Sequence, residues 1–294
     1  GVGAGVGRTA LLVAHARALE ARRPDPLAVD PYAEHFVRAA PGCADWPRDP
    51  AQVAPGDPVW ERLAGYFALR TRVLDAHLLD AARFGTRQVV LLGAGLDSRA
   101  HRLPWPRGTT VWELDRPDVL AFKQHVLDSL PAAPRAERRT VAADLTTHWS
   151  GALRRSGLDP ARPTAWLAEG LFLYLPAEAE LRVAVALDLL SAPGSTLAYE
   201  IKSAAESATV RAHPIYTTAR DRLGIDLLSL FSPDPRPRTA TLLTTLGWHT
   251  TTRSPFDHPT PRLRRTPHDP FDANRWITCR KTTPADPQHQ AMPA

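Results

Sequence analysis

The stretch QVVLLGAGLDS, residues 88–98, decides the fold of this chain. A short apolar run that ends in glycines is typical of a buried parallel strand whose backbone turns at its carboxyl end. Gly93 and Gly95 at this turn let the backbone approach a ligand closely. A dinucleotide fingerprint would place a third glycine where Ser98 stands, so the turn by itself is weak evidence for a nucleotide site.

Strands and helices alternate along the chain after this turn. The pattern predicts, in order, strand 111–114, helix 117–130, strand 139–143, helix 145–156, strand 165–168, helix 177–190 and strand 196–199. This order predicts βαβ units in a doubly wound parallel sheet with helices on both faces. Two further predicted strands, 248–252 and 274–280, complete a seven-stranded, mostly parallel sheet in which the last strand is reversed.

Helical patterns also precede the first strand. Apolar residues recur at helical spacing over 9–22 and 59–84, and a shorter helix is predicted at 32–40. The intervening residues 41–58 carry five prolines and are predicted to form a loop.

Length and composition restrict the class of protein. The chain has 294 residues, of which 44% are hydrophobic, enough for the core of one α/β domain with a cap. No apolar run approaches the roughly 18 residues of a membrane helix, and the start shows no export signal. We therefore expect a soluble, cytoplasmic protein. Cys43 and Cys279 cannot form a disulfide framework or a four-ligand zinc site, and we expect two buried thiols rather than one disulfide.

The net charge of +5 invites a nucleic-acid interpretation. Nearly all basic residues are arginines, however, and they are scattered along the chain instead of forming a block with interleaved aromatics. Abundant alanine and proline indicate the codon bias of a GC-rich genome. We therefore expect no nucleic acid as a partner, and no membrane. We also expect the protein to be a monomer or a homodimer.

Acidic residues close two further predicted strands. Asp115 ends the stretch WELD, 20 residues after Gly95, where a carboxylate can accept both hydroxyls of a ribose. Asp144 follows the next strand, where a carboxylate can accept the exocyclic amine of adenine. Each residue by itself is explained equally well as the N-cap of the next helix. A nucleoside lying across one sheet edge explains the glycine turn and both acids together.

The fourth strand separates two classes of enzyme that share this layout. It reads WLAEGLFLYLP, residues 166–176, and places Glu169 and Gly170 at the same sheet edge. A nicotinamide-dependent oxidoreductase should have the missing third glycine. A methyltransferase that uses S-adenosyl-L-methionine needs a residue near the sulfonium on this strand, where Glu169 stands. Glu169 could instead be a solvated loop glutamate. A non-catalytic nucleoside-binding module is a further alternative for the protein.

Several longer stretches resemble the leucine carboxyl methyltransferase family, and more closely its bacterial branch of O-methyltransferases associated with polyketide and peptide natural products. The stretches are RTALLVAHARALEARRPDPLAVDPYAEHF (8–36), RTRVLDAHLL (70–79), VVLLGAGLDSRAHRLPWP (89–106), VWELDRPDVLAFK (111–123), ADL (143–145) and WLAEGLFLYLP (166–176). The resemblance extends from Arg8 to Lys281. It implies a class I, Rossmann-like methyltransferase fold and S-adenosyl-L-methionine as the cofactor.

The same resemblance implies which residues hold the cofactor. Arg70 is the expected partner of the cofactor's carboxylate, with Arg72 as the neighbouring candidate, since a guanidinium can hold a carboxylate bidentately. Thr9 belongs to an N-terminal segment that closes over the cofactor. The complete set of implied cofactor-binding residues is Thr9, Arg70, Arg72, Gly93, Gly95, Asp115, Asp144, Leu145 and Glu169.

The domain organisation implied by this resemblance is a single methyltransferase domain over residues 1–281. We expect a helical cap at 1–85, a cofactor-binding core at 86–202, an insertion acting as a lid at 203–236 and C-terminal strands at 237–281. Residues 282–294 are polar and rich in proline, and we expect them to be disordered.

The acceptor is expected to be a carboxylate on a small natural product, which would become a methyl ester. A carboxylate is already ionised at neutral pH and needs no general base, whereas a phenol or alcohol needs one, such as a histidine. The eleven histidines show no metal-ligand spacing, and His15, His77 and His213 are the ones whose segments could face the pocket. Asp97 and Arg99 are expected to form a local ion pair. No catalytic residue is certain, and the candidates for contacting the acceptor are Tyr174 and Tyr199.

Overall fold

A computed structural model of the protein describes residues 7–203 and 206–282. Its strands are β1 (Gln88–Leu92), β2 (Thr110–Asp115), β3 (Glu137–Ala142), β4 (Thr164–Ala168), β5 (Thr196–Lys202), β6 (Trp248–Arg253) and β7 (Asn274–Lys281). Its α-helices are α1 (Arg8–Ala21), α2 (Ala33–Ala39), α3 (Ala64–Arg83), α4 (Arg99–Arg102), α5 (Pro117–Asp128), α6 (Ser150–Arg155), α7 (Ala177–Leu189), α8 (Ala208–Arg211), α9 (Pro214–Leu223), α10 (Leu227–Leu230) and α11 (Thr239–Thr245).

The strands form one sheet in the order β3-β2-β1-β4-β5-β7-β6. Strands β1 to β5 pair in parallel, and β7 is antiparallel to both β5 and β6. This confirms the predicted doubly wound, mostly parallel sheet with a reversed last strand. The strand order changes direction between β1 and β4, and the crevice outside the carboxyl ends of such strands is where ligands bind in this kind of sheet.

Strand β1 is buried on both faces, as its apolar sequence predicts. Val90 and Leu92 join Trp112 in the core on one side of the sheet. Val89 and Leu91 lie on the other side, in the core that includes residues of α3. Because β1 is packed between these two cores, the turn that follows it has a fixed position at the carboxyl edge of the sheet.

A third apolar core joins the N-terminal helices to the insertion after β5. Phe36 of α2 and Trp60, in the π-helical turn Pro58–Leu63 before α3, share it with Tyr216 and Leu223 of α9. The N-terminal helices and the helix α9 therefore pack together on the same side of the molecule.

A buried ion pair fixes α5 against the sheet. The Nζ of Lys123 donates to Glu113 Oε1 at 2.7 Å, and both side chains are fully buried. Arg138 on β3 donates to the same carboxylate from its Nε at 2.9 Å. Since Glu113 lies two residues before Asp115, this network supports the end of β2.

One predicted helix is shorter than the sequence suggested. Residues 145–156 were expected to be helical, but the helix α6 covers only Ser150–Arg155. The carboxylate of Asp144 accepts hydrogen bonds from the backbone N and the Oγ1 of Thr146, at 2.8 and 2.6 Å. This local turn competes with helix formation, which is the usual effect of aspartate just after a strand.

Two further expectations concern the cysteines and the C-terminus. Cys43 and Cys279 are both buried free thiols, as predicted. The expected disordered tail lies, from residue 283 on, outside the described residues. None of the helices within residues 7–203 and 206–282 is both long enough and apolar enough to span a membrane.

Candidate functional site

A cavity of about 270 Å³ lies at the carboxyl edge of the sheet, beside the switch point between β1 and β4. Its wall comes from the ends of β1, β2 and β4, from α1 and from the start of α3. The polar and glycine residues of the wall are Gly7, Thr9, Arg17, Arg70, Gly93, Gly95, Asp97, Asp115, Arg116, Glu169, Gly170 and Tyr174.

The glycine turn after β1 forms the floor of the cavity. Gly93 has φ +63°, and a Cβ atom at this position would meet Leu171 Cδ1 at 3.1 Å. The left-handed backbone and the close contact both favour glycine here. The backbone N of Ala94 donates to Leu114 O at 2.9 Å, which ties the turn to β2.

Asp115 lies at the end of β2 and faces the cavity. Its Oδ2 accepts a hydrogen bond from the backbone N of Gly95 at 2.7 Å, and its Oδ1 accepts one from Arg116 N at 2.7 Å. The carboxylate therefore connects the ends of β1 and β2. An ionised carboxylate has further lone pairs that ligand hydroxyls can use.

Glu169, just after β4, is the centre of a buried ionic cluster. Its Oε1 accepts from Arg17 Nη2 at 2.6 Å and from Arg70 Nε at 3.2 Å. Its Oε2 accepts from Arg99 Nη1 at 2.5 Å. Burial by itself would raise the pKa of Glu169, but the guanidinium groups of Arg99, Arg17 and Arg70 outweigh it and hold this pKa well below its usual range.

Arg70 is held from both sides. In addition to Glu169, its Nη1 donates to Glu200 Oε1 on β5 at 2.9 Å. The other oxygen of Glu200 accepts from Trp276 Nε1 at 2.7 Å and from the hydroxyl of Tyr66. Burial opposes the charge of Arg70, but the two carboxylates raise its pKa above the usual range, so it stays a cation. Its guanidinium is thereby fixed in one orientation at the cavity wall.

Most of the residues predicted to bind the cofactor or to contact the acceptor lie in this wall, and four do not. Arg72 is exposed on the outer side of α3, because it is two residues from Arg70 and helix geometry turns it away. Asp144 is exposed and bonded to Thr146, while Leu145 is packed in the core of the sheet. Tyr199 is buried in the same core against Phe172. The cofactor or acceptor roles of these four residues stay predictions.

Tyr174 does line the cavity. Its ring stacks on Phe231, with ring centroids 5.8 Å apart, which is the contact between the cavity wall and the insertion 203–236. Within the described part of that insertion, no residue lines the cavity itself. That the insertion 203–236 acts as a lid stays a prediction. The helix α1, in contrast, contributes residues to the cavity wall.

The structure adds residues that sequence reasoning missed. Arg17, Arg99 and Glu200 come from α1, α4 and β5 and meet around Glu169 and Arg70. The helical spacing could have indicated Arg17, because it lies about two turns after Thr9 on the same face of α1. The expected ion pair between Arg99 and Asp97 is present, but Arg99 also reaches Glu169.

The three candidate histidines lie away from the cavity wall. His15 belongs to α1 but is on the side of the helix that faces away from the cavity, against Trp46 and Trp60. His77 is on α3, and His213 accepts a hydrogen bond from Ile215 N at the start of α9. In the part of the chain that the structure describes, no histidine faces this cavity.

Comparisons with known proteins agree with this fold. The leucine carboxyl methyltransferase family matches residues 10–187. A Streptomyces coelicolor protein, named as an S-adenosyl-L-methionine-dependent methyltransferase, is 51% identical over 97% of this chain and 96% of its own length. A similarly named Mycobacterium tuberculosis protein is 52% identical over 66% of each chain.

Solved structures show the same architecture. A crystal structure from Thermobifida fusca, named as a methyltransferase, has a TM-score of 0.53 and 18% identity, with 92% of this chain and 94% of that chain covered. A DUF574 family protein of Streptomyces avermitilis has a TM-score of 0.54 and 17% identity, with 91% and 96% covered. These two likenesses concern the fold alone. The family match and the identity to the Streptomyces coelicolor protein go further: the chain belongs to the leucine carboxyl methyltransferase family and is a methyltransferase.

Proposed function

We propose that this S-adenosyl-L-methionine-dependent methyltransferase methylates a carboxylate oxygen of a small acceptor, of the polyketide or peptide natural-product kind, and produces a methyl ester. The observation that carries this proposal is the composition of the cavity wall. Of the described residues that form it, none is a histidine, and the only phenol is that of Tyr174. A carboxylate acceptor needs no base, while a hydroxyl acceptor does.

The residues of the wall fit the cofactor. We expect the glycine turn to let the chain backbone approach the methionine part, and Asp115, which lines the cavity, to accept the ribose hydroxyls. Arg17 and Arg70 offer guanidinium groups for the cofactor's carboxylate, and Glu169 lies beside them. When bound, the cofactor supplies a methyl group on a positively charged sulfur and leaves as S-adenosylhomocysteine.

The chain's own contribution is mainly positioning. Arg70 and Glu169 are locked by ion pairs to side chains from α1, α4 and β5, so they need little reorganisation when ligands bind. In-line displacement requires an acceptor oxygen about 3 Å from the methyl carbon, and a rigid wall favours that alignment. The helix α1 forms one wall of the cavity.

Tyr174 is suited to donate a hydrogen bond rather than to remove a proton. Burial raises the pKa of Tyr174 to about 12, so its phenol stays protonated at neutral pH. A protonated phenol can orient a carboxylate acceptor by donating to it. The acceptor itself has a pKa of about 4 and is ionised throughout the neutral range.

The test is the pH profile of the methyl-transfer rate under conditions in which chemistry is limiting. With a carboxylic acid acceptor we expect a rate that is flat from about pH 6 to 9, since the acceptor titrates below this window. The variant Tyr174→Phe should lower the rate without changing the shape of the profile. The product should release methanol on mild alkaline hydrolysis, as a methyl ester does.

A hydroxyl acceptor would give different results. The rate would rise through neutral pH, and the product would resist mild alkali. Either of these outcomes, with methyl transfer itself retained, would refute the carboxylate proposal and leave the methyltransferase assignment intact.

A further inference from the structure

A second cavity, of about 220 Å³, lies on the other side of α1. Thr9, Val13 and Arg17 recur every four residues along α1 and line the cofactor cavity. His15 and Ala18, followed by Arg22 just beyond the helix, line the second cavity. With 3.6 residues per turn, these two rows lie on opposite sides of the helix. The two cavities therefore share α1 as a common wall.

The body of the second cavity is apolar. Its remaining walls are formed by α2 and by the loop 40–48, which contribute Val37, Ala40, Cys43 and Trp46. Trp46 is almost completely buried and is held edge-on by the ring of His15, with ring centroids 5.4 Å apart. These side chains fit a ring or a short hydrocarbon body.

The charges around the second cavity are mainly positive. Arg22, Arg38 and Arg48 line it, against the single carboxylate of Glu34. Glu34 is occupied by Arg22 at 3.0 Å and by Arg38 at 3.3 Å. Arg48 has no ion pair among the residues that the structure describes. An anionic group on the ligand would complement this surplus of positive charge.

The ring of His15, a residue that lines the second cavity, contains a buried polar atom without a partner in the described part of the chain. Its Nε2 is bonded to the carbonyl oxygen of Pro47, and because a carbonyl only accepts, Nε2 carries the proton. Burial lowers the pKa of His15, which is therefore neutral at pH 7, and its Nδ1 is an acceptor. This Nδ1 is buried without a partner among the described residues.

We propose that the cavity between α1, α2 and the loop 40–48 is a second ligand site, which binds a small carboxylate carried on an apolar ring. The carboxylate faces Arg48 and its neighbouring arginines, and the ring occupies the apolar space beside Trp46. This site is separate from the methyl-transfer cavity, because α1 stands between them.

The probe for this proposal is 4-hydroxybenzoate, which combines a ring, a carboxylate and a hydroxyl donor. Its binding is measured by calorimetry on the full chain with saturating S-adenosylhomocysteine, which occupies the cofactor cavity. We expect one-to-one binding, and about tenfold weaker binding of the neutral analogue 4-hydroxybenzamide. Equal affinity for the acid and the amide would overturn the proposal, as would no binding of the acid.

Substitutions in the wall of the second cavity test whether 4-hydroxybenzoate binds there. Arg48→Gln should weaken binding of 4-hydroxybenzoate by about tenfold or more, the value of a charged hydrogen bond. Ala18→Leu, which fills part of the cavity, should abolish binding. Arg107→Gln removes an exposed arginine outside both cavities and should leave the affinity unchanged. Wild-type affinity in Ala18→Leu would contradict the site, and thermal melting confirms that each variant is folded.

The two thiols supply an internal control in the wild-type chain. Cys43 lines the second cavity, while Cys279 lies on β7 in the core of the sheet. Bound 4-hydroxybenzoate should slow alkylation of Cys43 and leave that of Cys279 unchanged, as followed by mass spectrometry. Equal protection of both thiols, or of neither, would show that the probe binds elsewhere.

Discussion

At the scale of single residues, the site depends on carboxylates that are already occupied by the protein. Glu169 accepts from Arg17, Arg70 and Arg99, and Asp115 accepts from the backbone of the glycine turn. Removing one partner of a buried ion pair is costly, because the other charge is left uncompensated. These carboxylates therefore organise the wall in addition to any contact that they make with a ligand.

Asp115→Asn should weaken binding of S-adenosylhomocysteine by about 1.5–3 kcal/mol, the range for hydrogen bonds to a charged group. The amide keeps the shape of the side chain but loses the charge and one acceptor. The measurement is isothermal titration calorimetry. The matched control is Asp118→Asn, an exposed acid at the start of α5 that does not line the cavity. Equal affinities in both variants would contradict the assignment of Asp115 to the ribose.

Because of His77, the free energy of unfolding should be smaller in mild acid than at neutral pH. Burial lowers the pKa of His77 from 6.5 to about 4. The unfolded chain therefore takes up the proton at a higher pH than the folded chain. Stability should fall as the pH drops from 6.5 to about 4, by on the order of 3 kcal/mol.

Urea unfolding at a series of pH values measures this loss. His77→Gln should remove this part of the pH dependence, and His249→Gln, an exposed position on β6, should keep it. An unchanged pH dependence in His77→Gln would show that another group is responsible.

At the scale of secondary-structure elements, α1 forms one wall of each cavity and separates the two. Arg17 fastens this helix to the core: it donates to Glu169 on the sheet and, from its Nε, to Thr71 Oγ1 on α3 at 3.0 Å. Arg17 thus adds polar contacts to the apolar packing, by Leu12 and Leu19 among others, that holds α1 over the cofactor cavity.

Arg17→Ala should destabilise the protein by about 1.5–3 kcal/mol, since hydrogen bonds to charged groups are lost and Glu169 keeps only two of its three arginines. Hydrogen exchange should become faster throughout the amides of α1. The control is Arg22→Ala. The exposed side chain of Arg22 follows the end of α1 and lies on the side opposite to Arg17. If the two variants exchange equally, Arg17 does not hold α1 in place.

At the scale of the whole molecule, cofactor binding should stabilise the folded chain, since the unfolded chain has no site. S-adenosylhomocysteine at about 100 times its Kd should add about 2.7 kcal/mol and raise the Tm by several degrees. NAD should leave the Tm unchanged, and Asp115→Asn should reduce the shift. A larger shift with NAD would argue against the cavity as an S-adenosyl-L-methionine site.

The amino-acid sequence by itself was sufficient for the succession of strands and helices along the chain, the glycine turn and the family. These features depend on local patterns: a short apolar run that is rich in β-branched residues and ends in glycines favours a buried strand followed by a turn. The last reversed strand, Asp115 at the end of β2 and Glu169 after β4 were all predicted and lie as expected. Periodicity within one segment carries this information without any knowledge of distant segments.

Only the tertiary structure decided which side chains meet. Arg17, Arg99 and Glu200 are far apart in the chain and come together around Glu169 and Arg70 because α1, α4 and β5 pack at one sheet edge. Two predicted residues lie outside the cavity wall for local reasons instead. Arg72 is turned to solvent by the helix period, and Asp144 by its own turn with Thr146. The second cavity likewise exists only because α1, α2 and the loop 40–48 enclose it. Contacts between distant segments depend on the summed packing of the whole chain, and no local pattern encodes that sum.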